Sequence, residues 1–133
     1  MSMSLEDVQA APRQAKPVPD TPENVLQQFS MKGKVVAITG ASDGIGWSVA
    51  EAMAEAGGSV ALMYNSNDAA VAKGKALAEK HGITARAYQL EVSDPAKVEK
   101  TINQITSDFG KLDVFVANAG MAISKPVSMA LDL

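Results

Sequence analysis

Cysteine is absent from the 133-residue chain, and histidine occurs once, at His81. Disulfide bonds, thiolate metal sites and a cysteine nucleophile are therefore excluded, as is common for proteins of a reducing compartment. His81 is predicted at the end of a helix, where a cation interacts favourably with the helix dipole, so a structural role is favoured over a catalytic one. No metal site is predicted.

The chain also lacks an excess of positive charge, with 12 Lys and Arg against 15 Asp and Glu. Nucleic acids and anionic membranes bind basic patches, so neither is expected as a partner. No apolar run approaches the roughly 20 residues that span a bilayer. The first residues show neither the basic nor the apolar segment of a secretory signal. A soluble cytoplasmic protein is therefore expected.

Apolar periodicity is weak at both ends of the chain. Four of the six prolines lie within residues 1–30, which predicts an extended, mobile N-terminal arm. Such an arm serves either as a docking segment or as a disordered extension, and its composition favours the second. Residues 121–133 show no convincing period and are predicted to form an irregular tail.

Between these ends, over residues 31–120, short apolar runs alternate with amphipathic segments. Strands are predicted at 35–38, 60–63, 85–90 and 114–117. A helix is predicted between each pair of successive strands, and the apolar period predicts which residues face the sheet. These are Ile45, Val49, Ala52, Met53 and Ala56 in the first helix, Val71, Ala72, Ala76 and Leu77 in the second, and Val98, Ile102, Ile105 and Phe109 in the third. The alternation predicts an α/β fold, a Rossmann-type doubly wound parallel sheet truncated after its fourth strand.

Residues 39–46, Thr-Gly-Ala-Ser-Asp-Gly-Ile-Gly, connect the first strand to the first helix. Gly40 allows a tight turn, Gly44 allows the backbone to approach a pyrophosphate, and Gly46 allows the helix to pack closely on the sheet. Backbone N–H groups at the helix start would face the phosphates. A P-loop is excluded because no Gly-Lys-Ser/Thr follows. The candidate cofactor-binding residues of this glycine-rich turn are Gly40, Ser42, Asp43, Gly44, Ile45 and Gly46.

This turn, together with Asn-Ala-Gly at 118–120, resembles the short-chain dehydrogenase/reductase family. The Asp-Phe-Gly-Lys-Leu-Asp run at 108–113 is similar to the family as well, and the resemblance covers residues 29–120. Gly-Ile-Gly-Trp at 44–47, Tyr-Asn-Ser at 64–66 and Val-Ala-Asn-Ala-Gly at 116–120 resemble its NADP-dependent sorbose reductases and mannitol dehydrogenases. The resemblance implies a dinucleotide cofactor and an oxidoreductase that interconverts ketoses and polyols.

The end of the second strand governs the choice of cofactor. An NAD site requires a carboxylate there, and the resemblance puts that position at Tyr64, followed by Asn65 and Ser66. Because no acid is present and Asn65 and Ser66 can donate hydrogen bonds to a 2′-phosphate, NADP(H) is favoured over NAD(H). Asp43 opposes this choice, since many NADP-binding relatives carry a basic residue there. Asp43 is interpreted as an acid at the N-terminus of the helix.

Two further segments are assigned to the cofactor by the resemblance. Glu91, followed by Val92, stands where the family usually has an Asp that contacts the adenine, although a solvated acid before a helix explains Glu91 equally well. Asn118, Ala119 and Gly120 follow the fourth strand, beside the crevice where strand order reverses. The family's usual Asn-Asn pair is Ala-Asn here, and a bare turn is the alternative to a cofactor contact.

The family's catalytic Tyr-x-x-x-Lys pair has no counterpart in the chain, because neither Tyr64 nor Tyr88 is followed by a lysine at that spacing. No catalytic residue is assigned, and no carbonyl reduction is expected. The chain is either a truncated or alternatively spliced reductase, or a non-enzymatic nucleotide-binding or regulatory protein. Its end, where another helix is expected, favours truncation.

Two consequences follow if the chain is truncated. The resemblance implies that the family's oligomer contacts are missing. The fourth strand becomes an apolar edge without a fifth strand beside it, so poor solubility or a partly molten state is expected.

Overall fold

A computed structural model describes residues 20–121 of the chain. Eight elements follow one another: α1 (Val25–Gln28), β1 (Val35–Thr39), α2 (Gly44–Glu55), β2 (Ser59–Tyr64), α3 (Ala69–His81), β3 (Ala85–Gln89), α4 (Pro95–Phe109) and β4 (Val114–Val116). The four strands form one parallel sheet in the order β3-β2-β1-β4. Helices pack on both of its faces, which confirms the Rossmann-type fold predicted from the sequence.

The two faces of the sheet carry separate apolar clusters. Val36 and Ile38 of β1 point toward α2 and α3, whereas Ala37 between them points toward α4. β1 is buried along its whole length because it has a strand on each side and helices on both faces. The glycine-rich turn therefore follows a strand that is packed on all sides.

The face of α2 that packs on the sheet consists of small residues. Gly46, Ala50 and Ala54 are buried, whereas Ile45, predicted to point inward, is 77% exposed. Of the other residues predicted inward, Ala52 is exposed, and Val49, Met53 and Ala56 are partly buried. The prediction was therefore wrong for Ile45 and Ala52 but correct for Val49 and Met53, which pack against the core. Close packing on the sheet selected small side chains at the centre of this face, and apolar periodicity does not detect that selection.

The inward face predicted for α3 was also largely wrong. Ala70, Gly74 and Leu77 are buried, and only Leu77 was predicted. The exposed residues Val71, Ala72 and Ala76 lie on the outer side. A Cβ at Gly74 would lie 2.9 Å from Leu62 Cδ1, so any larger residue there would require the Leu62 side chain to shift.

Helix α4 agrees better with its predicted stripe. Ile105 is fully buried against the second face of the sheet, and Val98, Ile102 and Phe109 are partly buried. Asp94 Oδ1 accepts hydrogen bonds from the N–H groups of Ala96 and Lys97 at 3.1 and 3.2 Å and caps the helix. These bonds, led by that from Lys97, lower the pKa of the Asp94 carboxyl below its ordinary value.

The ends of the chain were only partly accessible to prediction. Residues 1–19 and 122–133, which include most of the predicted arm and tail, lie outside the described residues. Within the arm, Val25–Gln28 form a one-turn helix rather than extended chain, capped by a hydrogen bond from Leu26 N–H to Asn24 Oδ1 at 2.9 Å. Within residues 20–121, no helix is long and apolar enough to cross a membrane.

Candidate cofactor-binding site

A cleft of about 300 Å³ opens at the carboxyl ends of β1, β2 and β3. Sequence analysis identified seven of the residues that line this first cleft: Gly40, Tyr64, Asn65, Glu91, Val92, Ala119 and Gly120. It did not identify the other five, Thr39, Met63, Leu90, Ser93 and Met121. Carboxyl ends of parallel strands are where open α/β sheets bind ligands, so the cleft lies where the fold predicts a site.

A second cleft lies over the glycine-rich turn. Its lining residues are Gly40, Asp43, Gly44, Ile45, Asn118, Ala119 and Gly120, all of them identified from the sequence. Gly40, Ala119 and Gly120 line both clefts, so the two adjoin. Together they form a groove that runs from the ends of β2 and β3, across the turn, to the loop after β4.

Each glycine of the turn is favoured at its position for a distinct geometric reason. Gly40 and Gly44 have φ angles of +65° and +55°, a region that side-chain-bearing residues rarely adopt. A Cβ at Gly44 would meet nothing within 4 Å, so the backbone is open to an approaching ligand. A Cβ at Gly46 would lie 2.2 Å from the carbonyl oxygen of Gly40, so only glycine lets α2 start this close to the turn.

The turn presents backbone donors to the second cleft. Helix α2 begins at Gly44, and its first-turn N–H groups have no carbonyl within the helix to bind. The N–H of Asp43, immediately before, has no acceptor within residues 20–121. A helix N-terminus with unpaired N–H groups and a positive dipole end suits a phosphate. The turn therefore fits the pyrophosphate of a dinucleotide.

Ser42 and Asp43 are attached to the loop between β2 and α3. The hydroxyl of Ser42 donates to the carbonyl oxygen of Asn67 at 2.7 Å, so it serves the fold rather than the groove. Asp43 occupies the N-cap position of α2, but its carboxylate caps no helix N–H. Instead Asp43 Oδ2 accepts a hydrogen bond from Asn67 Nδ2 at 3.3 Å. Asp43 therefore stands at the helix N-terminus, as expected, but makes no capping hydrogen bond there.

Two residues of this attachment were not identified from the sequence. Asn67 holds both Ser42 and Asp43, and its own Oδ1 accepts from the N–H of Ala69 at 3.1 Å. Lys73 donates from Nζ to the carbonyl oxygen of Ser42 at 2.7 Å and lies 4.9 Å from the ring centroid of Trp47. An Asn shortly before a helix is a detectable turn signal, whereas no local pattern marks Lys73.

The loop after β4 is joined to the end of β1. Thr39 Oγ1 accepts hydrogen bonds from the N–H groups of Asn118 and Ala119 at 3.0 and 2.9 Å. Asn118 Nδ2 donates to the carbonyl oxygens of Thr39 and Gly40 at 3.1 and 3.4 Å. Because the Asn118 amide binds the turn itself, its side chain holds the turn and the loop after β4 together. These bonds give residues 118–119 a structural role, and a cofactor contact of residues 118–120 stays a prediction.

The residues at the ends of β2 and β3 lie at the other end of the groove. Asn65 lines the first cleft, and its carbonyl oxygen accepts from Gln89 Nε2 at 3.0 Å. Ser66 is exposed but lines neither cleft. Glu91 lines the first cleft and is exposed, and its Oε1 accepts from the hydroxyl of Ser93 at 3.0 Å. No carboxylate stands at the end of β2 itself.

Tyr88 lies away from both clefts. Its hydroxyl donates to Asp108 Oδ2 at 2.8 Å, and Arg86 pairs with the same oxygen at 3.4 Å. Burial, followed by the interaction with Asp108, raises the pKa of Tyr88 well above its ordinary value. This phenol joins β3 to α4 as a neutral donor and plays no part in the groove. Among residues 20–121, no three acids or histidines are placed to share a metal ion.

A glycine-rich turn at the end of a central parallel strand, with a groove across it, is the arrangement typical of Rossmann folds that bind dinucleotides. Comparison with known families identifies which kind. The short chain dehydrogenase family model matches residues 34–132, and the chain belongs to this family.

Curated relatives include a sorbose reductase of Candida albicans, 57% identical over 104 residues, which are 78% of this chain and 37% of the relative. A probable NADP-dependent mannitol dehydrogenase of Yarrowia lipolytica is 48% identical over 105 residues, 79% of this chain and 37% of the relative. The chain thus matches well under half the length of each of these relatives.

Solved structures show the same fold. The NADPH-dependent 3-quinuclidinone reductase of Rhodotorula rubra matches with a TM-score of 0.81 and 43% identity, over 88% of this chain and 45% of that one. The L-sorbose reductase of Gluconobacter frateurii, solved with NADPH and L-sorbose, matches with a TM-score of 0.72 and 32% identity, over 78% of this chain and 40% of that one.

Proposed function

We propose that this chain is the NADP(H)-binding portion of a short-chain oxidoreductase that interconverts ketoses and polyols. The observation that carries the proposal is a groove with a glycine-rich turn and no carboxylate at the end of β2, where Tyr64 and Asn65 stand. An acid there would accept hydrogen bonds from a free ribose 2′-hydroxyl and repel a 2′-phosphate. Relatives named for NADP dependence, such as the Yarrowia mannitol dehydrogenase, support this choice of cofactor.

We propose the following arrangement of the cofactor along the groove. The N–H groups of the first turn of α2 would bind the pyrophosphate, and the N–H of Asp43 would face the 2′-phosphate. Asn65 and Ser66 would bind the 2′-phosphate, Glu91 and Val92 would border the adenine, and residues 118–120 would lie toward the nicotinamide. A bound NADPH would supply the hydride for reduction of a ketone, and the residues of this chain would hold and orient the cofactor.

The complete reaction is proposed for a longer protein of this family. Reduction of a ketone needs a group that protonates the developing alkoxide. Within the chain, Tyr64 and Tyr88 lack the lysine partner of the family's catalytic tyrosine, and Tyr88 is committed to Asp108. We propose that the 133-residue chain binds NADP(H) without reducing a carbonyl. The predicted cytoplasmic location remains a prediction.

Equilibrium titration of the 133-residue chain with NADPH and with NADH tests the choice of cofactor. NADPH is expected to bind at least about tenfold more tightly, because one charge-assisted contact to the 2′-phosphate contributes about 1.5 kcal/mol or more. Asn65→Asp should reverse the preference, since the new carboxylate repels the phosphate, and Asn65→Ala serves as the uncharged control. Equal affinity of the wild-type chain for both nucleotides would overturn the proposal.

The absence of catalysis is tested separately. The purified chain is incubated with NADPH and L-sorbose, and absorbance of the reduced nicotinamide is followed with time. No turnover is expected at any chain concentration. Oxidation of NADPH that depends on the ketose and increases in proportion to the chain would show that the chain carries its own acid catalyst.

A further inference from the structure

Lys73 reaches back from the second turn of α3 to the glycine-rich turn. Its Nζ donates to the carbonyl oxygen of Ser42 at 2.7 Å and lies 4.9 Å from the ring centroid of Trp47. The side chain is only partly exposed, and no acidic group pairs with it in the described part of the chain. Its positive charge therefore acts on the turn without a neutralising ion pair.

The contact with Lys73 fixes the orientation of the peptide between Ser42 and Asp43. In a trans peptide the N–H points opposite to the carbonyl. Because Lys73 holds the Ser42 carbonyl toward α3, the N–H of Asp43 points away from α3, and this is the N–H that has no acceptor within residues 20–121. Asp43 itself lines the second cleft. Lys73 thus orients a donor that a ligand oxygen can use.

The same peptide is attached to the loop that follows β2. Asn67 accepts from the Ser42 hydroxyl and donates to the Asp43 carboxylate, at 2.7 and 3.3 Å. Residues 65–67 are continuous in sequence, so this attachment fixes Asn65 and Ser66 relative to the turn. Lys73 and Asn67 therefore form a clamp (Lys73, Asn67, Ser42 and Asp43) between the two segments that would surround a 2′-phosphate.

The clamp also offsets the negative charge of Asp43. This exposed carboxylate is an unfavourable neighbour for a phosphate. Asn67 holds it toward the loop, and the ammonium of Lys73, one peptide away, supplies a positive charge on the same segment. Positively charged side chains commonly stabilise bound phosphates. The cation near this turn stands on α3, at Lys73, rather than within the turn.

We propose that Lys73 is a positioning residue that makes the site select the 2′-phosphorylated dinucleotide, by orienting the Ser42–Asp43 peptide and offsetting the charge of Asp43. This inference rests on the proposed NADP(H) function. NADH carries no 2′-phosphate, so loss of the Lys73 charge affects its binding less. The affinity ratio between the two nucleotides is therefore the quantity that Lys73 controls.

The test is a titration of the full 133-residue chain and its Lys73→Met variant with NADPH and NADH. Methionine keeps most of the apolar stem and removes the ammonium. The ratio of NADPH to NADH affinity is expected to fall at least about fivefold, as for loss of a hydrogen bond to a charged group. Lys73→Arg should keep most of the ratio. Lys75→Met, an exposed lysine on the same helix, should keep all of it.

Intrinsic fluorescence provides a second measurement that needs no cofactor. Trp47 is the only tryptophan, so its emission reports whether the ammonium lies over the ring. Lys73→Met should change this emission, whereas Lys75→Met should not. Unchanged emission in Lys73→Met would overturn the placement of Lys73.

The outcomes separate the two proposals. A wild-type chain that does not prefer NADPH overturns the proposed cofactor and this inference together. A wild-type chain that prefers NADPH, with a Lys73→Met variant that keeps the same ratio, overturns only the role of Lys73. An equal loss of both affinities in Lys73→Met would also overturn it, because a merely structural lysine gives that result.

Discussion

The hydroxyl oxygen of Thr39 lies 3.0 Å from the backbone nitrogen of Asn118 and accepts its hydrogen bond. The same oxygen accepts from Ala119 N–H at 2.9 Å, and the hydroxyl donates to Val116 O at 3.4 Å. One side chain thus joins the end of the central strand to the loop after β4. That loop forms one wall of the groove, so its position depends on Thr39.

Replacement of Thr39 by valine keeps the shape of the side chain and removes its hydroxyl. Two backbone N–H groups then lose their acceptor, and the free energy of unfolding is expected to fall by about 2 kcal/mol. Urea denaturation followed by circular dichroism measures the change. Thr39→Ser retains the hydroxyl, and its free energy of unfolding should fall clearly less than that of Thr39→Val. If valine and serine prove equally stable, the hydroxyl does not hold the loop.

Replacement of Gly46 by alanine should impair nucleotide binding more than it impairs folding. The new Cβ would lie 2.2 Å from Gly40 O and 2.6 Å from Asn118 Nδ2, so both the turn and the β4 loop must move. NADPH affinity measured by titration is expected to fall by at least about tenfold, since the groove is built from these two segments.

The matched control for Gly46→Ala is Gly82→Ala. Gly82 ends α3 at a φ of +65° with nothing near its Cβ position, and it lies outside both clefts. Its replacement should cost about 1 kcal/mol of stability through backbone strain and leave NADPH affinity unchanged. Equal losses of affinity in the two variants would contradict the role of Gly46.

Asp113 should make stability depend on pH in the acid range. The N–H of Val35 donates to Asp113 Oδ2 at 2.8 Å, and this bond, followed by the interaction with Lys111, lowers the pKa of the carboxyl below its ordinary value of 3.8. A lowered pKa in the folded state stabilises the fold above pH 3.8, and the stabilisation is lost as pH falls through the folded-state pKa.

The variant Asp113→Asn tests this dependence, because it keeps an acceptor for Val35 N–H and removes the titrating group. Melting temperatures are measured between about pH 2 and pH 7, a range that includes the acid end where a paired carboxylate with a lowered pKa takes up its proton. Wild type should lose more stability at the acid end than Asp113→Asn does. Glu99→Gln, an exposed acid on α4, should follow wild type. Parallel profiles for wild type and Asp113→Asn would rule out the proposed contribution.

The edge of the sheet at β4 should limit solubility. Within residues 20–121, β4 pairs with β1 and has no strand on its other side, and Phe115 is 46% exposed. A charged residue on an exposed edge strand discourages pairing with another chain. Phe115→Lys is therefore expected to raise the monomer fraction in size-exclusion chromatography with light scattering. Val71→Lys, at an apolar residue 54% exposed on α3, should have little effect.

Local sequence patterns determined the fold and most of the groove. Alternating apolar runs placed all four strands to within about two residues, since a buried parallel strand must be apolar along its length. The glycine-rich turn and residues 118–120 were found because glycine and a polar residue after a buried strand carry a local signal. These segments line two adjoining clefts, as their positions directly after parallel strands predicted.

The faces of α2 and α3 were not predictable in the same way. Apolar periodicity favoured Ile45 and Val71, which are exposed, over Gly46 and Gly74, which are buried. Whether a helix approaches a sheet through small or large residues depends on how close the two must come. That distance is a property of the assembled layers and not of one segment.

The sequence by itself determined which segments are strands, where the chain turns with glycine, and that no acid follows β2. Only the tertiary structure decided what the polar residues around the turn do. Lys73 is 31 residues from Ser42 along the chain, and Thr39 is 79 residues from Asn118. Such pairs meet only after the parallel strands have assembled. Each crossover connection makes the next strand run in the same direction, so the carboxyl ends of all strands lie side by side. Hydrogen bonds of this kind leave no local periodicity in the sequence.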